Sequence, residues 1–574
     1  MRLGTSTRSI AGLVVIIGAL AMLLSACGGQ STTGSGQAPK DKQIVKPLDS
    51  GPSAGDIDTF DPGQTQFAFD YDKDVMIYPQ LVTLTDDLKV VDSAAQSHEV
   101  SADGLTYTFH LHSNMKWSDG TPIDATSFAY AINRALDPCF ASQVSYYLDN
   151  IKGAVAFNSK TCDAGPDGLD KTSLIGQSIV AADPQTLKLT LEAPAAYFLA
   201  AATYPTFFAV PKQLIDKYGQ TTWTGHLADG SGLGGSVYRL TRWDKAGHLE
   251  FTANDSFTWG KPAIIQHVNY TLYKDINTAW ADYKAGTGDL VALFPSAEIN
   301  TAKSLHGSTY HSGTELAVSY IEENWNLAPF DDMRVRNAFS LAIDRNAIAT
   351  TVYKGLLFPT IHMNVKGLPG YNPDLKNAAG DSGDKALTAN VAKAQELAKA
   401  YATDKCGGDF SKCTPIVYTY RTSSSTWQLL AQVLQQEWQN AFPGWNITLA
   451  GIDRSIELKT YSKLQIADES WGADYPDSQD FLSLLWTKPA QYNQTFVNVP
   501  AADALCAKAD INPNQTERYQ QYQQAEQLWV NQGAFASFGQ RVYYSVVKNT
   551  ISGMTVNGSG TFSLSNWETS YVKA

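Results

Sequence analysis

The residues able to do chemistry are scattered along the chain, and their spacing fits no hydrolytic or phosphoryl-transfer machinery. The 574 residues contain no H-E-x-x-H zinc helix and no G-x-x-x-x-G-K-[ST] phosphate loop. His98-Glu99 lacks the second histidine of a zinc pair. His110 and His112 stand two apart, so they would share one face of a strand, where a pair could hold a metal. No third ligand is adjacent, and a solvated face is the better reading. The run Gly230–Gly235 leads into Val237-Tyr238-Arg239-Leu240, a strand-like segment, whereas a phosphate cradle opens a helix. It reads as a flexible loop. No catalytic group, cofactor or metal is expected, and a secreted hydrolase is the weakest reading.

Six cysteines remain to be placed. Cys139 with Cys162 and Cys406 with Cys413 are the nearest pairings, each across a loop-like stretch, and suit an oxidising compartment. Closing the longer loop contributes about 3 kcal/mol in the chain-entropy view. Cys506 is left over as a buried small hydrophobe.

The elements around these residues are those of a large globular protein. Apolar types make up 44% and charged types 17%, which excludes wholesale disorder, and the length calls for two or three domains. The net charge of −13 argues against nucleic acid, whose phosphates need clustered Lys and Arg. Arg2 and Arg8 precede the apolar run Ile10–Leu24, the pattern of a secretory signal and short for a spanning helix. Leu24-Ser25-Ala26-Cys27 then resembles a bacterial lipobox, which makes Cys27 the lipidated N-terminus and residues 1–26 a removable leader. Losing two arginines with it takes the mature charge to −15. Residues 27–43 are rich in Gly, Ser and Thr and read as a flexible tether.

Further on, Leu105–Leu111 alternates with period two as a strand does. Asp124–Leu136 places Phe128, Ala131, Ile132 and Ala135 at helical spacing. Leu187–Leu191 is a second strand. Helices are expected within Phe330–Ala349, over Trp427–Trp438 and over Glu517–Val530. Strands alternating with helices point to an α/β class with more than one lobe.

Five segments, in order along the chain, resemble the extracellular solute-binding proteins of bacterial ABC importers, family 5, the oligopeptide- and dipeptide-binding type. They are Asp58-Thr59-Phe60-Asp61-Pro62; Tyr107–Pro122 with the helix ending Leu136-Asp137-Pro138; Val237–Trp243 through to Ala285–Leu290; Asn326–Phe330 with Val335–Arg345; and Trp471–Asp477 through to Leu482. The resemblance implies a two-lobed periplasmic-binding-protein-like fold that closes about a hinge, with an extra domain inserted in the first lobe. Mapped here, lobe I would be 44–78, 213–325 and 540–574, the inserted domain 79–212, and lobe II 326–539.

The resemblance also implies a site. Asp474 would meet the α-ammonium of a peptide, since a cation shut between lobes loses its water and needs a fixed anion. The competing reading is that Asp474 caps the helix leading to Phe481. Trp471, Gly472 and Ala473 would run extended beside the peptide and pair with its backbone. Gly472 would let the ligand come close, while Trp471 could wall a pocket or be plain core. Phe67, Ala68 and Tyr71, then Tyr146 and Tyr147, then Phe294 would face the cleft by position, although each also suits a core. The chain departs from some peptide binders where a ligand carboxylate would be met: the helix at Trp427 has no His, Asp468 and Glu469 precede Trp471, and Arg421 is the nearest cation. That favours longer peptides, or an amine without a carboxylate.

The expected protein is a monomeric lipoprotein on the outer face of the cell membrane. It delivers peptides to an ABC permease and its ATPase. An oligosaccharide, another amine or a signalling peptide are the alternatives within the same fold.

Overall fold

A computed structural model describes residues 36–50, 55–244, 247–422, 424–488, 490 and 492–574. The leader and Cys27 lie outside the described residues. Among those described, no helix is long and apolar enough to cross a membrane.

Two long strands organise the molecule. The strands of the main sheet that position the site are β1 (Pro47–Asp49), β2 (Tyr238–Asp244), β3 (His248–Ala253), β4 (His267–Leu272), β5 (Leu290–Ala292), β6 (Ser308–Glu323), β7 (Ile416–Arg421), β8 (Ile447–Ile452), β9 (Ile466–Gly472) and β10 (Ala536–Lys548). They run side by side in the order β8-β7-β9-β6-β10-β5-β1-β4-β3-β2. β6 and β10 pair antiparallel from Ser308 opposite Lys548 to Ile321 opposite Ala536, with irregularities after Thr314 and after Ser319. β5 and β1 continue the sheet from β10 on one side, and β9 and β7 continue it from β6 on the other. β6 and β10 are therefore the two crossovers of a two-lobed fold. The second half of β6, Leu316–Glu323, is buried throughout, as a strand covered on both faces must be.

A smaller antiparallel sheet lies off the main one, in the order Ala95–Val100, Thr106–Leu111, Thr186–Thr190, Ile179–Asp183. Helix α1 (Ala68–Ile77) leads towards it, and α2 (Ala125–Leu136) packs upon it with Phe128 and Ile132 fully buried. Asp124 starts α2 as a capping box, accepting from the backbone N–H of Thr126 and Ser127 while Ser127 returns a bond. From α2, Arg134 reaches the D-P segment and donates to both oxygens of Asp61 at 2.8 and 2.6 Å. Its remaining donors reach Gln220, and its guanidinium lies 3.8 Å from the Phe140 ring centroid.

Two expectations need correction. The tether does not extend to residue 43. The Ala38 N–H donates to the Val572 carbonyl at 2.8 Å, and the buried Gln43 side chain donates to that carbonyl and accepts from the Val572 N–H. Backbone bonds to the C-terminal strand hold a segment that has little to bury. The helix within Phe330–Ala349 is also broken. It runs over Met333–Leu341 and stops; Asp344 then caps a new start at Arg345, followed by a wider turn over Ile348–Val352. The Asp344 side chain offers the backbone a cap that competes with continuing the helix.

Both expected disulfides are present, Cys139–Cys162 and Cys406–Cys413, and Cys506 is a buried free thiol.

Candidate ligand cleft

β9 delivers the candidate site from the crossover region. One edge of β9 pairs with β6 all the way from Ile466 to Gly472. The other edge pairs with β7 only at Ile466 and Ala467. From Asp468 to Gly472 that second edge has no strand partner among the described residues, and the Ser470 N–H donates to the Glu469 side chain at 2.9 Å. A methyl group on Gly472 would meet only the Ala317 Cβ, at 3.8 Å, an ordinary contact. The fold does not require glycine there, and the space beside it stays open.

Past β9, the chain turns and places Asp474 against the aromatic residues of the other lobe. The Tyr147 hydroxyl donates to Asp474 Oδ2. The Tyr147 ring lies 3.7 Å from Tyr204 and 4.2 Å from Tyr146, centroid to centroid. Tyr146 and Tyr492 share a hydroxyl hydrogen bond of 2.9 Å.

Asp480 stands directly behind. The Asp474 N–H donates to Asp480 Oδ2 at 3.1 Å, and Trp471 Nε1 donates to the same oxygen at 3.2 Å. Asp480 is fully buried, and its Oδ1 has no hydrogen-bond partner. Among the described residues, no Lys or Arg forms an ion pair with Asp474 or Asp480. Loss of water pushes the Asp474 carboxyl up to about 7, against the opposing pull of the Tyr147 hydrogen bond. Burial, and then the charge of Asp474, push Asp480 well above the carboxylate range. Two dehydrated acids without a cation form a site that gains from receiving one.

Asp477, three residues on, is in the opposite situation. Arg518 donates to both its oxygens at 2.9 and 2.5 Å. Asp477 also caps α3 (Ser478–Phe481) through the Gln479 N–H. The capping role considered for Asp474 therefore belongs to Asp477, which leaves Asp474 for other work.

The remaining candidates fall into three cavities. Phe67, Ala68 and Tyr71, at the start of α1, join Ala473, Asp474 and Tyr204 around a space of about 30 Å3. That holds a group of about the size of water or an ammonium. Tyr146 and Tyr147 also face a second cavity of about 440 Å3, with Asp149, Tyr197, Tyr475 and Asp510. Phe294 and Trp427 line a third chamber of about 390 Å3, floored by β6 and β10 and reached by Ser470 of β9. Phe294 is itself buried, stacked 4.6 Å from Trp280. Trp471 is half-buried, edge-on to Tyr492 at 4.9 Å, so it both packs and orients Asp480.

Arg421 must be withdrawn as the group that meets a ligand carboxylate. It is 7% exposed and held between Glu457, at 2.7 Å, and Glu469. A guanidinium in that setting balances two local acids and has no charge to spare.

The family description "Bacterial extracellular solute-binding proteins, family 5 Middle" matches residues 89–493. The chain belongs to this family. Dipeptide-binding protein DppE of Bacillus subtilis is 27% identical over 79% of each chain. The Escherichia coli protein named "Probable deoxycholate-binding periplasmic protein YgiS" is 29% identical, over 80% of this chain and 81% of its own. The murein tripeptide binding protein MppA of Escherichia coli superposes with a TM-score of 0.75 at 22% identity, over 92% of this chain and 98% of that one. The two-lobed periplasmic-binding architecture is thus shared in full, and the relatives are binding proteins.

Four members of this family-5 cleft carry no signal in the sequence. Asp480 looks like one more acid in an acidic loop, and only burial makes it matter. Tyr204 and Tyr492 join the site through tertiary packing across more than 250 residues of chain. Arg541 reaches the third chamber from the last long strand.

Proposed function

We propose that the protein is an extracytoplasmic substrate-binding component of an ABC importer. It captures peptides, oligopeptides above all, between its lobes and delivers them to a membrane permease with cytoplasmic ATPase subunits. The leader 1–26 and Cys27 would anchor it as a lipoprotein on the outer face of the cell membrane. Lobe I (44–78, 213–325, 540–574) with its inserted domain (79–212) and lobe II (326–539) would close as a monomer, without catalysis, over the ligand. The observation that carries this reading is the cation-free acid pair Asp474–Asp480 at the end of the open β9 edge. A peptide offers an α-ammonium for the first and a backbone for the second. Deoxycholate, the ligand in one relative's name, would instead bring a carboxylate towards two acids. Mass spectrometry of small molecules released by denaturing the purified protein tests the reading. A set of short peptides is the expected result, and a single sugar or bile acid would overturn it.

Two further results are expected. The first is a pH dependence. Below about 7 Asp474 holds a proton that an arriving ammonium must displace, so affinity for free-amine peptides should rise with pH and then level off. The rise should approach tenfold per unit between about pH 5 and about pH 7. The same raised carboxyl favours the unliganded fold at acid pH, and that contribution fades as pH climbs towards 7. Titration calorimetry in buffers across this range would show a flat profile if Asp474 is not the anchor. The second concerns Gly472. Gly472→Ala should leave the melting temperature within a few degrees, because the added Cβ meets only the Ala317 Cβ at 3.8 Å. It should weaken peptide binding by about tenfold, since it narrows the space a ligand backbone needs. Unchanged affinity in an equilibrium binding assay would contradict the strand-addition role.

A further inference from the structure

The face of the crossover pair turned away from the cleft carries a cavity of its own, of about 580 Å3. Successive residues of a strand point to opposite faces. Leu316 and Gln540 line this cavity, whereas their neighbours Glu315 and Arg541 line the third chamber. In the short strand Leu357–Pro359, Phe358 pairs opposite Gln540 and lines the cavity with it. The cavity therefore lies behind β6 and β10, and its size is that of a small-molecule site.

Its walls come from both sides of the crossovers. Asp86 and Leu88, at the tip of the hairpin Val82–Asp92, come from the chain before β6. Phe358, Lys366 and Tyr371 come from the chain between β6 and β10. The two walls carry unlike charges that do not pair with each other. Asp86 Oδ1 accepts from Ser563, Ser565 and Asn566, which pins the hairpin tip and leaves Oδ2 without a partner among the described residues. Asp87 also lines the cavity but is engaged by Lys89. Among the described residues, Lys366 forms no ion pair, and no other Lys or Arg lines the cavity. On the floor, Gln540 is 4% exposed and donates from its amide nitrogen to the Glu315 and Lys366 carbonyls at 2.9 and 2.8 Å. Its amide oxygen is left as an acceptor. The Phe358 ring, 51% exposed, offers an apolar face to the same space.

We propose that this cavity is an effector site for a free amino acid with an aromatic side chain. The ammonium takes Asp86 Oδ2 and the Gln540 amide oxygen, the carboxylate takes Lys366, and the ring lies on Phe358 and Tyr371. Such a molecule ties one lobe to the other. Tyr147 and Asp474 touch across the cleft, so the cavity has its present width when the cleft is shut. Cleft and cavity lie on opposite faces of the strands that act as the hinge, so opening one narrows the other. An occupant behind the hinge resists reopening and tightens the hold on peptide, and by linkage peptide tightens the hold on the occupant. The inference rests on the hinge closure and peptide capture proposed above and adds a second ligand to them.

The test titrates L-phenylalanine, phenethylamine and 3-phenylpropionate by calorimetry into the mature protein, Asp474→Asn, Phe358→Ser and Lys366→Gln. Asp474→Asn removes the charge with which the cleft attracts an ammonium, so binding that persists there belongs to the cavity. In that variant L-phenylalanine should bind about tenfold better than either single-charge probe. Phe358→Ser and Lys366→Gln alter exposed side chains. In the Asp474→Asn background each should weaken L-phenylalanine by about fivefold or more, and in the parent background each should leave tetra-alanine affinity unchanged. With saturating L-phenylalanine present, tetra-alanine should bind the parent about fivefold more tightly than Phe358→Ser, a comparison that cancels any competition within the cleft. No L-phenylalanine binding to Asp474→Asn, equal affinity for the three probes, or the same tetra-alanine affinity in parent and Phe358→Ser would each overturn the assignment. If tetra-alanine does not bind at all, the peptide reading fails by itself, and the L-phenylalanine titrations still decide the site.

Discussion

Replacing Asp474 by asparagine should weaken binding of free-amine peptides by about ten- to a hundredfold. The side chain keeps its shape and can still accept from Tyr147, but it loses its charge. A hydrogen bond to a charged group contributes about 1.5–3 kcal/mol, and each 1.4 kcal/mol is tenfold in affinity. Folding should respond in the opposite direction. The unliganded protein gains by losing a dehydrated charge beside Asp480, which is itself pushed upward by Asp474. Its melting temperature should hold or rise. Weakened binding with retained or improved stability separates a ligand anchor from a structural acid, since a structural acid would lower both. Equal affinity of the variant and the parent, measured by calorimetry above pH 7, would remove Asp474 from the site.

The second large effect is on stability and lies away from the cleft. Arg134→Met should destabilise the protein by about 3–5 kcal/mol, because it leaves the Asp61 carboxylate buried without its cation. The pair is almost entirely inaccessible, with side chains 1% and 8% exposed. Asp61 would retain only the Trp223 indole N–H at 3.3 Å and the Gly63 N–H at 3.1 Å. The exposed pair Lys171–Asp163 provides the control: Lys171→Met should cost less than about 1 kcal/mol. Denaturant unfolding followed by tryptophan fluorescence measures both. Similar small losses in the two variants would show that burial adds nothing to the Arg134 contact. Peptide affinity of folded Arg134→Met should match the parent, since neither partner lines a cleft cavity.

How much of this was legible in the sequence depends on which forces are local. Asp124 caps its helix, and Phe128 and Ile132 keep their period, because capping and amphipathic spacing are short-range. The strand expected at Leu105–Leu111 forms over Thr106–Leu111 with strict in–out alternation. The helix expected at Trp427–Trp438 extends to Ser425–Ala441. The break after Leu341 was not visible, since the hydrophobic pattern runs on past it and only a side-chain cap interrupts the backbone ladder. In the cleft, Asp474 could be singled out only through its resemblance to a family. Its dehydration depends on Tyr147 and Tyr204, about 270–330 residues earlier in the chain. Arg421 illustrates the converse. Its charge was visible, but the glutamates that absorb that charge come from β9 and from a separate helix. Arg541 lines the third chamber because strand topology brings the last long strand beneath it.

The central claim is that the cleft recognises a ligand by its α-ammonium at Asp474. Calorimetric titration of tetra-alanine and N-acetyl-tetra-alanine into the mature protein above pH 7 tests it most directly. Acetylation removes the charge and leaves backbone and carboxylate in place. The account predicts a loss of about tenfold or more on acetylation. Equal affinity for the two peptides would contradict it.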